Sequence, residues 1–213
     1  MASALKMFYN AMNKAELKVF TALKSPVAVQ TFLDRIPYRS TPRYLSPLTV
    51  LKEGHGCCFE GAVFGAAALR AIGYPPLILE ITAERDDEHL IAIYRRDGRW
   101  GSVAKSNYAG LRGREPVYKT LPELVLSYFE FYFNIHRERT LRGYTLPLHL
   151  AKYDNSRWMT NDSKLHLIAK GLDDHRHITL FNRKMIKDFS LVDLLTFKAG
   201  MHGTDLNHVY RPR

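Results

Sequence analysis

From Phe59 to Ile72 the chain carries almost no charge, with only Glu60 and Arg70 interrupting it. Gly61 and Gly65 stand four residues apart inside this run. A helix that is apolar nearly all round offers no face to water and has to be buried. The run opens after Gly56-Cys57-Cys58 and stops at Gly73-Tyr74-Pro75-Pro76, a strong breaker. The pattern predicts a helix over 58–72 around which the rest must be built. The enclosing layer follows at once. Leu77-Ile78-Leu79-Glu80-Ile81 is strand-like, and His89-Leu90-Ile91-Ala92-Ile93-Tyr94 is apolar on both faces, as in a central strand. Asp97-Gly98 is a two-residue hairpin signal that returns the chain through 99–104. The expected class is α+β: a buried helix packed on an antiparallel sheet.

Upstream, the apolar spacing of Leu5, Phe8, Tyr9, Met12, Leu17 and Phe20 predicts one amphipathic helix over 1–24. Ser25-Pro26 caps a helix over 27–36, and Ser46-Pro47 opens a short one ended by Gly54. Downstream, Thr120 and Pro122 open a predicted helix over 120–134. Beyond 135 the signals weaken. Residues 166–170 and 177–181 read as a hairpin about Asp173-Asp174, and 191–197 as a last helix or strand. The expected organisation is one domain over 1–213: a core at about 46–134, a helical segment 1–45, and an extension 135–213 packed on the core.

Chemistry concentrates at the start of the central helix. Cys58 falls in its first turn, where free N–H groups and the positive end of the dipole favour a thiolate. Gly56 lets the chain turn sharply there. The Cys58 N–H is also placed to donate to an oxyanion. His89 stands at a strand start 31 residues on. Thiol and imidazole are two parts of a nucleophile site. A buried cysteine that is only a small hydrophobe is the bland alternative. His55-Gly56-Cys57-Cys58 and Asp173-Asp174-His175-Arg176-His177 contain metal-ligand types, but neither has the spacing that aims two side chains at one ion. No metal and no cofactor is expected.

The totals exclude several classes. With 46% hydrophobic and 24% charged residues among 213, the composition is that of a globular protein. No apolar run is long enough to span a bilayer, and no signal peptide is read, so no membrane role is expected. The only two cysteines are adjacent and cannot staple distant segments, which fits a reducing, cytoplasmic setting. Net charge is +10, but the basic residues are scattered and no zinc-finger, stacking or zipper pattern accompanies them, which argues against nucleic acid. The same charge is equally compatible with an acidic partner or substrate.

Gly56-Cys57-Cys58-Phe59-Glu60-Gly61-Ala62, followed by Ala68-Leu69-Arg70-Ala71-Ile72-Gly73-Tyr74-Pro75, resembles the core of the transglutaminase-like superfamily. That family carries Gly-x-Cys and then Leu-Arg-Ala-x-Gly-x-Pro. The count back from Gly73 selects Cys58 as the family's nucleophile. His89, Asp97-Gly98 and Trp100 keep the order of the family's histidine, hairpin and tryptophan. The resemblance spans roughly residues 46–110. It implies a papain-like core and amide hydrolysis or acyl transfer through a thioester on Cys58, with His89 as general base and then acid. The substrate it implies is a peptide or other amide-bearing molecule.

One position departs. The family places aspartate in Trp-x-x-x-Asp, whereas Trp100 is followed by Gly101-Ser102-Val103-Ala104. Alanine cannot orient an imidazole. If Arg96 pairs with Arg99 across the hairpin, His89 falls opposite Ser106, with Ala104 diagonal on the same face. Ser106 is therefore the expected orienter, or Asn107 across a one-residue bulge. A second reading stays open beside the enzyme: a catalytically lapsed fold kept as a binding or scaffolding module.

Overall fold

The computed structural model describes residues 2–212. Four helices precede the uncharged run: α1 (Ala2–Asn10), α2 (Lys14–Thr21), α3 (Pro26–Arg35) and α4 (Pro47–Glu53). The run itself forms α5 (Cys58–Ala71), and every residue from Phe59 to Arg70 is buried. Buried Arg70 near its end forms a two-pronged ion pair with Asp154 at 2.6 and 2.7 Å.

Three strands follow, β1 (Leu77–Ala83), β2 (His89–Arg96) and β3 (Arg99–Val103). Asp97 and Gly98 turn with φ of 50° and 74°, the left-handed pair that a tight hairpin requires. After them come β4 (Arg114–Tyr118), α6 (Leu121–Leu126), β5 (Leu141–Thr145), β6 (Leu148–His149), α7 (His166–Asp173), β7 (His177–Thr179), α8 (Arg183–Lys187) and α9 (Leu194–Met201). The strands make one antiparallel sheet in the order β4-β3-β2-β1-β5-β7, with β6 also on β1. The β2 strand is interior, as its two apolar faces require.

Alternation along β2 divides the molecule. Leu90, Ala92 and Tyr94 face the core built on α5, and Ile91 and Ile93 face a second core containing Leu124, Val125, Tyr128 and Tyr132. The central helix lies very close to the sheet. A Cβ on Gly65 would fall 2.8 Å from Val103 and 3.0 Å from Ala92. The structure is thus a mixed helix and antiparallel-sheet fold, the α+β class.

Three local expectations are corrected. The helix over 1–24 is two helices. The Asn13 side chain accepts from Ala15 N and Glu16 N, and Glu16 accepts from Asn13 N at 2.8 Å, a reciprocal cap that restarts the helix. The helix over 120–134 stops at Leu126. Ser127 Oγ donates back to the Leu124 carbonyl, and a 3-10 turn at Phe129–Phe131 follows, with Tyr128, Tyr132 and Phe133 buried and Phe131 exposed. The hairpin about Asp173-Asp174 is a helix followed by a strand. Buried Leu165, Ile168 and Leu172 recur at helical spacing and pack against the α5 core.

Candidate active site

Cys58 is the first residue of α5, and Glu60 anchors that helix start. Its carboxylate accepts from Cys57 N at 3.0 Å and from Leu45 N at 3.4 Å. The segment before α4 is tied in too. Tyr38 bridges Gly56 in parallel, with Arg39 N donating to the Gly56 carbonyl at 3.2 Å. A Cβ on Gly56 would lie 2.9 Å from Glu60 Cβ, so only glycine fits this crossing.

The Cys58 sulfur meets the start of β2. As a thiol it donates to the Glu88 carbonyl at 3.8 Å. Its pKa is held well below the usual thiol range. The largest cause is a hydrogen bond from the Cys57 thiol; burial opposes it, and a hydrogen bond and charge from His89 and the Leu90 N–H reinforce it. The Cys57 thiol is pushed up by that same hydrogen bond and by burial. Both cysteines are free thiols and partly exposed. Burial, and next the charge on Cys58, push the Tyr38 hydroxyl up, and that hydroxyl also hydrogen-bonds the Cys58 sulfur.

His89 is 4% exposed, and its Nε2 lies 2.7 Å from the Leu111 carbonyl. A carbonyl only accepts, so Nε2 carries the proton. Nδ1 is then the ring nitrogen left for the Cys58 sulfur. The Leu111 carbonyl comes from a turn held by Arg114, which donates to the Gly110 carbonyl at 2.7 Å and to Ser127 Oγ at 3.1 Å. The Arg114 guanidinium lies 3.9 Å over the Tyr128 ring, and that ring meets His89 edge-on at 6.3 Å.

Ser106 and Asn107 do not orient His89. The hairpin register holds from Arg96↔Arg99 to Ala92↔Val103 and then ends. Gln30 of α3 intrudes there. It accepts from Ala104 N and donates to the Ala104 carbonyl, both at 2.9 Å, on the edge that Trp100 and Ser102 turn to β4 and away from β2. The peeled strand sends Ser106 to accept from Tyr108 N at 3.0 Å. Asn107 bonds the main chain of Asp205 and His208. Lys105 turns away from His89 to the Ile36 carbonyl; burial and then the nearby Arg112 lower its pKa to about 8.

The thiol and imidazole line a cavity of about 30 Å³ together with Tyr38, Asn107 and His208. That volume holds a water or two. The acidic loop forms one wall, fixed by Tyr132 Oη donating to the Asp87 carbonyl at 2.8 Å and Thr140 Oγ1 to Asp86 at 2.7 Å. Burial, followed by the charge at Cys58, raises Asp87 to about 6. Among the described residues, no three His, Cys, Asp or Glu side chains cluster as metal ligands, and no helix is long and apolar enough to cross a membrane.

No protein-family model matches the chain, and no curated protein is similar to it. Among solved structures it is similar to Legionella pneumophila LapG, at 16% identity and a TM-score of 0.36, over 49% of this chain and 71% of that one. The EGTA-treated form gives 16% and 0.34 over 49% and 69%, and the calcium-bound form 15% and 0.35 over 49% and 71%. Likeness at this level is partial, and the chemistry of the site stands on its own geometry.

Proposed function

We propose that the protein is a transglutaminase-like cysteine enzyme, with a papain-like core, that hydrolyses or transfers amide acyl groups through a thioester on Cys58. The observation that carries this is the surroundings of the Cys58 sulfur. It lies at the first turn of α5, 3.8 Å from the Glu88 carbonyl, and shares one cavity with Tyr38 and with His89, whose Nε2 is held by the Leu111 carbonyl. In this reading His89 Nδ1 takes the proton of the Cys58 thiol, and the thiolate so formed adds to the amide carbonyl carbon. The oxyanion takes the Cys58 N–H, which has no intrahelical partner. The imidazolium Nδ1–H passes its proton to the departing amine, and the C–N bond breaks to leave the thioester. Nδ1 then takes a proton from water or an acceptor amine as that nucleophile adds, and the thiolate is expelled. The proton on Nε2 stays on the Leu111 carbonyl throughout. That carbonyl fixes the tautomer as the family aspartate would, but brings no charge. The acidic wall favours a neutral or basic chain beside the thiol, rather than the acidic one that net charge suggests.

The competing reading, a lapsed fold kept for binding, draws on Ala104 and the small cavity. Acylation separates the two. With Cys57→Ser, p-nitrophenyl acetate should release one equivalent of p-nitrophenol in a burst and leave one acetyl group on Cys58 by intact mass. No burst, together with alkylation no faster than that of glutathione, would leave only the binding module.

A further inference from the structure

We propose that the segment from Thr204 to His208 is an internal occupant of the Cys58 cleft, and that Asn107 is the residue through which this cleft reads peptide main chain. The inference rests on the enzyme reading above and names the regulation and substrate contact of that same site.

The Asn107 amide spends both ends on main chain. Its Nδ2 donates to the Asp205 carbonyl at 3.0 Å and to the His208 carbonyl at 3.2 Å, and its Oδ1 accepts from Asp205 N at 3.0 Å. Donor and acceptor of one side-chain amide thus match the C=O and N–H of one residue, as a neighbouring strand would. Such contacts ignore side-chain identity, so any peptide of the right local shape satisfies them. The segment also reaches the reacting groups. The His208 ring lies 6.0 Å from Tyr38, edge to face, and both line the cavity with Cys58 and His89. With the segment in place, no amide side chain has room there.

The occupant is built to leave. Asp205, Leu206 and Asn207 are exposed, Leu206 at 63%. Its own structure is a single 3-10 turn, Leu206–His208, capped by Asp205 accepting from Asn207 N at 3.0 Å. The anchor lies before it. Gly200 of α9 packs on Phe133, and Gly203, at φ 74°, turns the chain out of that helix. The segment is a hinged cap whose seat is a substrate contact.

The test compares two electrophiles on the full chain carrying Cys57→Ser. Methyl methanethiosulfonate is small: the Cys58 thiolate attacks its sulfenyl sulfur and methanesulfinate leaves. A Phe-Ala peptidyl chloromethyl ketone carries main chain, and the thiolate displaces its chloride. Asp205→Pro removes the N–H given to Asn107; combined with His208→Ala, it should accelerate the peptidyl probe about 10-fold and the small probe about twofold or less. Asn107→Ala frees the cap equally but removes the reader, so its peptidyl rate should fall about 5-fold or more below that of the double variant. An unchanged peptidyl rate in the double variant overturns the cap. Equal peptidyl rates in the two variants overturn the reader. As a check in the unsubstituted segment, the peptidyl adduct should speed hydrogen exchange at Asp205 N–H, and continued protection there would also overturn the cap. Slow small-probe labelling in every form would instead sink the enzyme reading, while the ratio of the two probes still decides the cap.

Discussion

Glu60→Gln separates what holds the helix from what reacts. The carboxylate is 4% exposed in the first turn of α5, where it accepts from two main-chain N–H groups, Cys57 at 3.0 Å and Leu45 at 3.4 Å. Glutamine keeps one acceptor oxygen and sets an NH2 group where the other stood. The amide oxygen will stay on the shorter Cys57 bond, leaving two donors face to face at Leu45. The loss of a charge-assisted bond is worth about 1.5–3 kcal/mol. The loss of negative charge at the helix N-terminus adds about 0.3–1 kcal/mol. A net cost of about 2–4 kcal/mol should lower Tm by about 4–16 °C in a domain of this size. Calorimetry at pH 7 measures it. Alkylation of Cys58, followed in the same samples, should stay within about twofold, because the Glu60 oxygens hold main chain and not the sulfur. A Tm shift below about 1 °C would refute the anchoring argument. Lost reactivity at unchanged Tm would make Glu60 part of the reacting site.

Three further outcomes follow from the same geometry. Tyr38→Phe removes a donor to the Cys58 thiolate, so the alkylation pH profile should move up by about 1–2 pH units, and an unmoved profile would contradict that contact. Gly61→Ala would put a Cβ 2.2 Å from Lys105 Cβ, so urea unfolding should show a loss of about 1–3 kcal/mol; a neutral result would mean that the peeled strand yields freely. Glu80 has its carboxyl raised from 4.5 to about 7, mainly by burial and then by Glu88. The stability from its neutral form is therefore full below about pH 4.5 and lost as pH rises through 7. Allowing for partial solvent screening, the loss is about 2 kcal/mol, and Glu80→Gln should flatten it in urea melts at pH 5 and 7.5; equal slopes in both proteins would contradict the burial argument.

Rules that act over a few residues were legible in the chain. The uncharged run gave the buried helix, Asp97-Gly98 gave the hairpin and its register, and Ser46-Pro47 with Gly54 gave α4 its two ends. The reciprocal cap of Asn13 and Glu16 was also written locally, and it outweighs the apolar spacing that predicts one long helix. What escaped is what a distant element imposes. Turn geometry extends the β2–β3 register to Ser106, but pairing stops at Ala92↔Val103, and Gln30, 74 residues away in the chain, takes both main-chain groups of Ala104 on the edge away from β2. The partner of His89 is a main-chain carbonyl, which any residue at position 111 supplies, so no side-chain pattern could mark it. Arg114, which secures that carbonyl's turn, is one of 31 basic residues and sits in no motif.

The intrusion of Gln30 also bears on where this molecule can be divided. One side-chain amide stands in for a strand, and the loop bearing the carbonyl that holds His89 begins where it does so. Ile36 supplies the carbonyl that takes Lys105, and Tyr38 reaches the sulfur itself. All three come from the first 45 residues, outside the stretch that carries the sequence resemblance. A chain begun at residue 46 would keep Cys58 and His89 but lose the groups that hold the main chain of Ala104 and the amine of Lys105, just ahead of the turn that carries the Leu111 carbonyl. The helices ahead of the motif thus act as a splint for the stretch of chain that brings His89 its partner.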